Sequence, residues 1–363
     1  MNRACAIIGA GPAGSACAIA LAGAGWRVSI FEKARFPRAK VCGEFISPAA
    51  TDILESLLSP AELESLGARR CGAVVIHAGP RTLRRSMPRP GWALSRRTLD
   101  HALLDRARRA GAAVQAPVVV RAVNWTGPRP LVRTDRAEQS FDIVIHADGA
   151  GRHDPAGPTA SAGGLVGLKR HFLPPQPDPG AVRLFAAPSA YLGTIDIEDG
   201  LSTCALTART TVTRRFGPDT DALVRDLWPA LDLGEPQGPW LACPVARSQY
   251  TAPGHIRSFR IGNAAGAVDP VGGEGIGLAL WSATTLAGLL AGAEAEPAAL
   301  APIQRAFARL YRARLCARLP ACRLAAETLM RPRLAAALTP LLDAGGFGAW
   351  YRLTGKPVRT LHT

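Results

Sequence analysis

Two side chains two positions apart could do proton chemistry in this chain. They are the thiol of Cys42 and the carboxyl of Glu44, in the run Phe36-Pro37-Arg38-Ala39-Lys40-Val41-Cys42-Gly43-Glu44-Phe45-Ile46-Ser47-Pro48. A thiol can donate a proton to a carbon centre, or it can pack as a small apolar group. A partly buried carboxyl takes a raised pKa and serves as an acid or base, whereas on an open loop it is an ordinary solvated charge. For both residues the sequence leaves the two readings open. Upstream, Gly9-Ala10-Gly11-Pro12-Ala13-Gly14 has the GxGxxG spacing of a phosphate-binding turn. Gly9 allows the tight turn, Gly11 lets a pyrophosphate approach the backbone, and Gly14 lets helix and strand pack closely. Glu32, at the end of the next apolar run, is placed to accept hydrogen bonds from ribose hydroxyls, with Lys33 beside it.

The elements that must position these residues are legible around them. Ala4-Cys5-Ala6-Ile7-Ile8 is a continuous apolar run, expected of a central parallel strand buried on both faces. A small-residue helix from Ser15 to Ala24 and a second strand, Val28 to Phe31, complete a strand-turn-helix-strand unit, whose helix N-terminus offers unpaired N–H groups to phosphate. Phe141 to Ala150 reads as another buried strand delivering Asp148-Gly149 to a loop at the carboxyl edge of a sheet, where ligands bind in open α/β folds. Ile261 to Gly277 reads as a strand end, a glycine-rich loop holding Asn263 and Pro270, and the start of a long apolar helix at Gly275-Ile276-Gly277.

Together with an R-x-x-L-D segment at Arg96–Asp100, these stretches resemble the FAD-dependent class A monooxygenases and their relatives, the geranylgeranyl reductases and flavin-dependent halogenases. The resemblance implies an α/β fold: a glutathione-reductase-like FAD-binding Rossmann domain with an inserted antiparallel-sheet substrate domain and a C-terminal helical tail. The FAD domain would be discontinuous, over 1–50, 96–155 and 256–297. The substrate sheet would take 51–95 and 156–255, and a helical cap 298–363. The resemblance also implies that Asn263, where the relatives carry Asp, meets the ribityl chain, and that the helix at Gly275-Ile276-Gly277 aims N–H groups at the flavin edge. Cys42-Gly43 would lie against the isoalloxazine. Arg38 or Arg96 would supply a cation to the pyrophosphate, or be ordinary surface.

The substrate region carries strand-like runs at Cys71–His77, Val182–Phe185 and Ser202–Leu206. Tyr191 to Asp196 falls where reductases and halogenases keep tryptophan signatures, and neither signature is present. Trp240 to Pro244 reads as the connection back to the FAD domain. Helices after 298 should be interrupted at Pro320 and Pro332. The expected activity is that of an FAD enzyme drawing on NAD(P)H bound transiently, since no second GxGxxG occurs. A monooxygenase hydroxylating a hydrophobic aromatic or polyketide-like molecule through a flavin hydroperoxide leads, and a geranylgeranyl-reductase-like enzyme reducing C=C bonds of a lipid or isoprenoid follows.

Composition limits the alternatives. Of the 363 residues 48% are hydrophobic and 20% charged, which excludes disorder, and the 37 glycines follow no three-residue period. The net charge of +15 suggests a polyanion or membrane binder, but only four of the 43 basic residues are lysines, so the excess reads as arginine bias and no nucleic-acid partner is expected. The densest stretch, Arg305 to Arg323, reads as a solvated helix face or a peripheral membrane contact. Eight cysteines without a CxxC pair argue against a zinc site or disulfide scaffold and for a reduced cytoplasmic protein. The N-terminal run mimics a signal peptide but is broken by the glycine turn. Gly275 to Ala293 carries no charge, and its hydroxyls and glycines favour a buried helix over a membrane span.

Overall fold

The computed structural model describes residues 3–149, 164–175, 178 and 180–354. In chain order the first half forms β1 (Ala4–Ile8), α1 (Pro12–Gly23), β2 (Arg27–Phe31), β3 (Phe45–Ile46), α2 (Pro48–Leu57), α3 (Pro60–Ser65), β4 (Arg69–Ala78), β5 (Arg81–Ala93), α4 (Arg96–Arg109), β6 (Ala113–Gln115), β7 (Val120–Asn124), β8 (Leu131–Thr134), β9 (Glu138–Ser140) and β10 (Ile143–His146). The second half adds β11 (Leu165–Leu173), β12 (Ala181–Ala187), β13 (Ala190–Asp196), β14 (Ser202–Arg209), α5 (Thr210–Phe216), α6 (Thr220–Leu227), β15 (Glu235–Pro244), β16 (Ser258–Arg260), α7 (Gly275–Leu290), α8 (Pro297–Leu329), α9 (Pro332–Leu341) and α10 (Phe347–Leu353).

Side-chain alternation on β1 explains the first layer. Cys5 and Ile7 face the main core with α1, α4 and α7, while Ala4, Ala6 and Ile8 face a second core built with Val120, Val132 and Phe141. Buried on both sides, β1 sits at the centre of a five-stranded sheet of order β16-β10-β1-β2-β6, with every pairing parallel. The three-stranded sheet β7-β8-β9 covers its outer face. Its short, half-polar strands carry little apolar periodicity, so the sequence does not announce it.

An eight-stranded sheet, β15-β11-β14-β13-β12-β4-β5-β3, forms the other half. Its strands cover all three expected runs, but it is mixed, since β12 pairs with β4 in parallel. Trp240 to Pro244 belongs to edge strand β15, paired with β11, and so is not a simple connection. One face packs on the main core through Tyr191, Ile195 and Ile197. The opposite face carries Leu192, Cys204 and Leu206 against α5 and α6.

The helical tail corrects a second expectation, because α8 runs from Pro297 to Leu329 straight through Pro320. Pro320 and Cys316, whose carbonyl loses its partner, are both exposed, so solvent can take up the freed acceptor while the buried face continues unbroken. Pro332 does separate two helices, as the first residue of α9. Arg305, Arg309, Arg312 and Arg323 are exposed, but Arg314 stacks on Trp281 at 4.4 Å and Arg318 approaches Glu274. The basic stretch is thus not one solvated face, which removes two of the charges a membrane contact would use. Among the described residues no helix is long and apolar enough to cross a membrane, and the charge-free stretch forms the buried α7.

Candidate active site

The glycine turn is built by backbone contact. A Cβ on Gly9, whose φ is +104°, would lie 2.6 Å from the carbonyl oxygen of Ala147, and one on Gly14 would lie 1.9 Å from that of Gly9. No other residue fits either position. Gly11 is the N-cap of α1, Pro12 its first residue, and no side chain caps the helix, so its first N–H groups are left for a ligand. Ala13 packs under the short turn Gly262–Ala264, a Cβ on Gly262 coming 3.0 Å from that of Ala13; Asn263 in that turn is exposed beside the helix start. Asp148 and Gly149 follow β10 as expected, the Asp148 Cα lying 2.9 Å from the Gly9 Cβ position.

Cations converge on this turn. The guanidinium groups of Arg38 and Arg96 both come within 3.9 Å of a Cβ placed on Gly11. They share Asp100: Arg96 grips it bidentately at 2.6 and 2.7 Å, and Arg38 adds a bond of 3.1 Å. Neither arginine is ordinary surface. Glu32 accepts from the N–H groups of Ala10 and Ala34 at 2.9 and 2.8 Å and lies 3.8 Å from Arg38. The pKa of Lys40, whose side chain is exposed at its surface, is pulled below its usual value by partial desolvation and by the neighbouring Arg38, Arg96 and Lys33, with Glu32 opposing. Lys33 itself is exposed. Arg38 and Arg96 thus flank Glu32 and Asp100 at a helix N-terminus, and the Lys40 charge nearby adds to a positive field suited to a diphosphate.

The second glycine loop meets the Cys42 region. A Cβ on Gly273 would lie 2.7 Å from the ring of Phe45, and one on Gly277 would lie 3.3 Å from the Ala50 Cβ, so these glycines let α7 close on β3 and α2. Pro270 and Gly275 are exposed, while Ile276 and Gly277 are buried. No side chain caps α7, leaving its first N–H groups available. The buried Glu274 accepts a 2.8 Å bond from the Ser47 hydroxyl.

Cys42 is partly buried with its thiol against Arg96, and Gly43 is exposed. Glu44 overturns both expectations for it, since it is neither solvent-facing nor raised in pKa. Its carboxylate is fully buried and accepts from the Arg96 N–H (2.6 Å), Lys169 Nζ (2.6 Å), His171 Nε2 (2.7 Å) and the Thr203 hydroxyl. Burial alone would push its pKa up. The His171 hydrogen bond and the Lys169 charge outweigh that and hold it below the usual carboxylate value. Glu44 is therefore an ionised hub, unsuited to carrying a proton at neutral pH.

Comparison with known proteins places this geometry. Residues 7–40 match the NAD(P)-binding Rossmann-like domain. The flavin-dependent brominase structure superposes with a TM-score of 0.79 over 98% of this chain and 94% of that one, at 17% identity. PqsL from Pseudomonas aeruginosa, described as a probable FAD-dependent monooxygenase, superposes at 0.78 over 93% of this chain and 99% of that one, also at 17% identity. The fold is that of the FAD-dependent monooxygenases and halogenases. Among curated proteins, kynurenine 3-monooxygenase of Stenotrophomonas maltophilia is 31% identical over 41% of this chain and 36% of that protein. Menaquinone reductase of Mycobacterium tuberculosis is 33% identical over 40% of this chain and 37% of that protein. Both matches thus span little more than a third of those relatives' length.

On this monooxygenase fold, the expected residues gather in two groups joined through Arg96. Gly9 to Gly14, Glu32, Arg38, Asp148, Gly149 and Asn263 surround one end; Cys42, Gly43, Glu44 and the Pro270–Gly277 loop surround the other. Local spacing does not reveal the side chains that answer them: Lys169, His171 and Thr203 of the eight-stranded sheet around Glu44, and Tyr191 of that sheet with Arg247, three residues past the end of β15, around Asp269. Tyr191 donates a 2.6 Å bond to Asp269, which also accepts from Arg247 Nε at 2.7 Å and from the Val271 N–H at 3.1 Å. One signal was available. Gly167, Lys169 and His171 alternate along a strand, and lysine is scarce in this chain.

Proposed function

We propose that the protein is an FAD-dependent oxidoreductase that takes electrons from NAD(P)H and hydroxylates a hydrophobic aromatic or polyketide-like small molecule. The cation-rich glycine turn carries this reading: two arginines anchored on the buried Asp100 converge over Gly11 at an uncapped helix N-terminus. These residues fit FAD. The Gly9–Gly14 backbone and the start of α1 would hold the diphosphate, with Arg38 and Arg96 balancing its charge, Glu32 meeting the ribose and Asn263 the ribityl chain. When bound, FAD supplies the two-electron chemistry that hydride transfer and oxygen activation require.

The chain's own residues do the rest. The N-terminus of α7 would stabilise negative charge on the reduced ring. Gly273 and Gly277, which let α7 close on β3 and α2, would form one wall beside the ring, and the eight-stranded sheet would shield the reacting atoms from water. On that sheet Gly193 and Ala205, paired across neighbouring strands and partly exposed, leave room for a planar substrate. The eight free cysteines, Cys316 among them exposed, support a reducing compartment such as the cytoplasm. The test is to supply NAD(P)H and candidate aromatics under ¹⁸O₂. The reading requires NAD(P)H oxidation stimulated by substrate and one labelled oxygen in the product; oxidation without label transfer to any substrate tried counts against it.

The partly buried Cys42 thiol beside Arg96 favours a second reading, a reductase that saturates a C=C bond and protonates carbon from that thiol. Under anaerobic conditions such an enzyme would still convert its substrate, and Cys42→Ser would abolish the conversion. Unchanged turnover in Cys42→Ser removes this role.

A further inference from the structure

In the Cys42–Gly43 turn, Cys42 rests half-buried against the main core and Arg96, and Gly43 packs on nothing. Gly43 is exposed, with nothing within 4 Å of the place a Cβ would occupy, and Cys42 is only partly covered. The next residue adds the anchor that crosses to other elements. Glu44 holds φ +57°, a left-handed conformation that a non-glycine residue keeps only when its surroundings over-determine it. Its N–H donates to Cys42 Sγ at 3.4 Å and its carbonyl accepts from the Leu94 N–H at 3.2 Å. Its carboxylate draws donors from three elements, the first turn of α4, β11 and β14. Three of the four donors, Lys169, His171 and Thr203, stand on the face of the eight-stranded sheet that also presents Gly193 and Ala205. Lys169 is paired in register with Ala205, and Ala205 with Gly193.

We infer that Glu44 is a positioning residue: through Lys169, His171 and Thr203 it locks the Cys42–Gly43 turn to the substrate-facing sheet, so that events on that sheet reach the turn. The link to catalysis rests on the flavin reading above, because only there does the turn border the reacting ring. The locking itself does not.

The test is the alkylation rate of Cys42 by iodoacetamide, mapped by peptide mass spectrometry on FAD-loaded protein carrying Cys316→Ser to remove the exposed thiol. Glu44→Gln is expected to raise that rate about tenfold or more, since it removes a charge-assisted anchor and frees the turn to open locally. Thr203→Val, which keeps every charge, is expected to raise it about two- to threefold. The double variant Glu44→Gln/Lys169→Met removes both buried charges and should recover the parent's thermal midpoint while Cys42 stays fast. A parent-like rate in Glu44→Gln, in Thr203→Val, or in a double variant of restored stability overturns the proposal, because Glu44 would then serve only to balance the Lys169 charge. The same rates measured on apo protein separate the two ideas. A fast Cys42 in the variants, with no FAD binding by any form, defeats the flavin reading and leaves the positioning role standing.

Discussion

The two ends of the candidate site are built by opposite means. Around the nucleotide turn, backbone sets the shape: Gly9 and Gly14 touch carbonyl oxygens so closely that no Cβ fits, and helix N–H donors face the ligand position beside Arg38 and Arg96. Across the site, side chains do it. Glu44 reaches Lys169, His171 and Thr203 at sequence separations of 125, 127 and 159 residues, and Asp269 reaches Tyr191 across 78. Backbone-built sites constrain consecutive residues and so leave a spacing pattern. Networks assembled from distant strands constrain pairs and leave none.

The comparison makes graded predictions. The largest effect belongs to Gly14→Val, which drives a side chain into the Gly9 carbonyl; a loss above about 4 kcal/mol and absence of bound flavin are expected in purification yield and flavin content. Tolerance of valine there would mean that the turn is not held by backbone contact. Next comes Glu44→Gln, which strands the Lys169 charge in the interior and should cost about 3–5 kcal/mol in denaturant unfolding.

Glu44 also predicts a pH dependence. Its folded-state pKa is depressed, so its contribution is fully present above the usual value of 4.5 and is lost as pH falls through the lower folded value. The parent's thermal midpoint should therefore drop on acidification below that point, and Glu44→Gln should show a flatter curve. An equally steep curve in the variant would place the acid sensitivity elsewhere.

Arg38→Met should weaken FAD binding about tenfold, by titration of apo protein, with the fold intact because Arg96 still satisfies Asp100. The smallest effect is Tyr191→Phe, about 1 kcal/mol in urea unfolding, since Asp269 keeps Arg247 and the Val271 N–H. A loss as large as that of Glu44→Gln would show that the two networks carry similar weight and would redraw the comparison.

The same contrast explains what the sequence makes legible. The strand-turn-helix-strand unit, Glu32, the Asp148-Gly149 loop and the α7 start follow from local spacing, and the structure has each of them, with α1 beginning at Pro12, three residues before the expected Ser15. Arg38 and Arg96 stand open in the sequence, because surface and ligand-facing arginines look alike until Asp100 is seen between them. The solvent-facing or raised-pKa expectation for Glu44 fails because the side chains that bind it lie more than a hundred residues away. Pro320 fails as a helix break because the propensity rule ignores a buried face that continues past it. The sheet β7-β8-β9 goes unseen because its strands are three to five residues long and half polar.

The central claim, that the cation-rich glycine turn holds FAD beneath the eight-stranded sheet, is tested most directly by the visible absorption spectrum of the purified 363-residue chain. Purified or reconstituted with FAD, it should carry the two oxidised-flavin bands at one flavin per chain after gel filtration, and Gly14→Val should carry none. A colourless parent protein that takes up no FAD at saturating concentration would contradict the account.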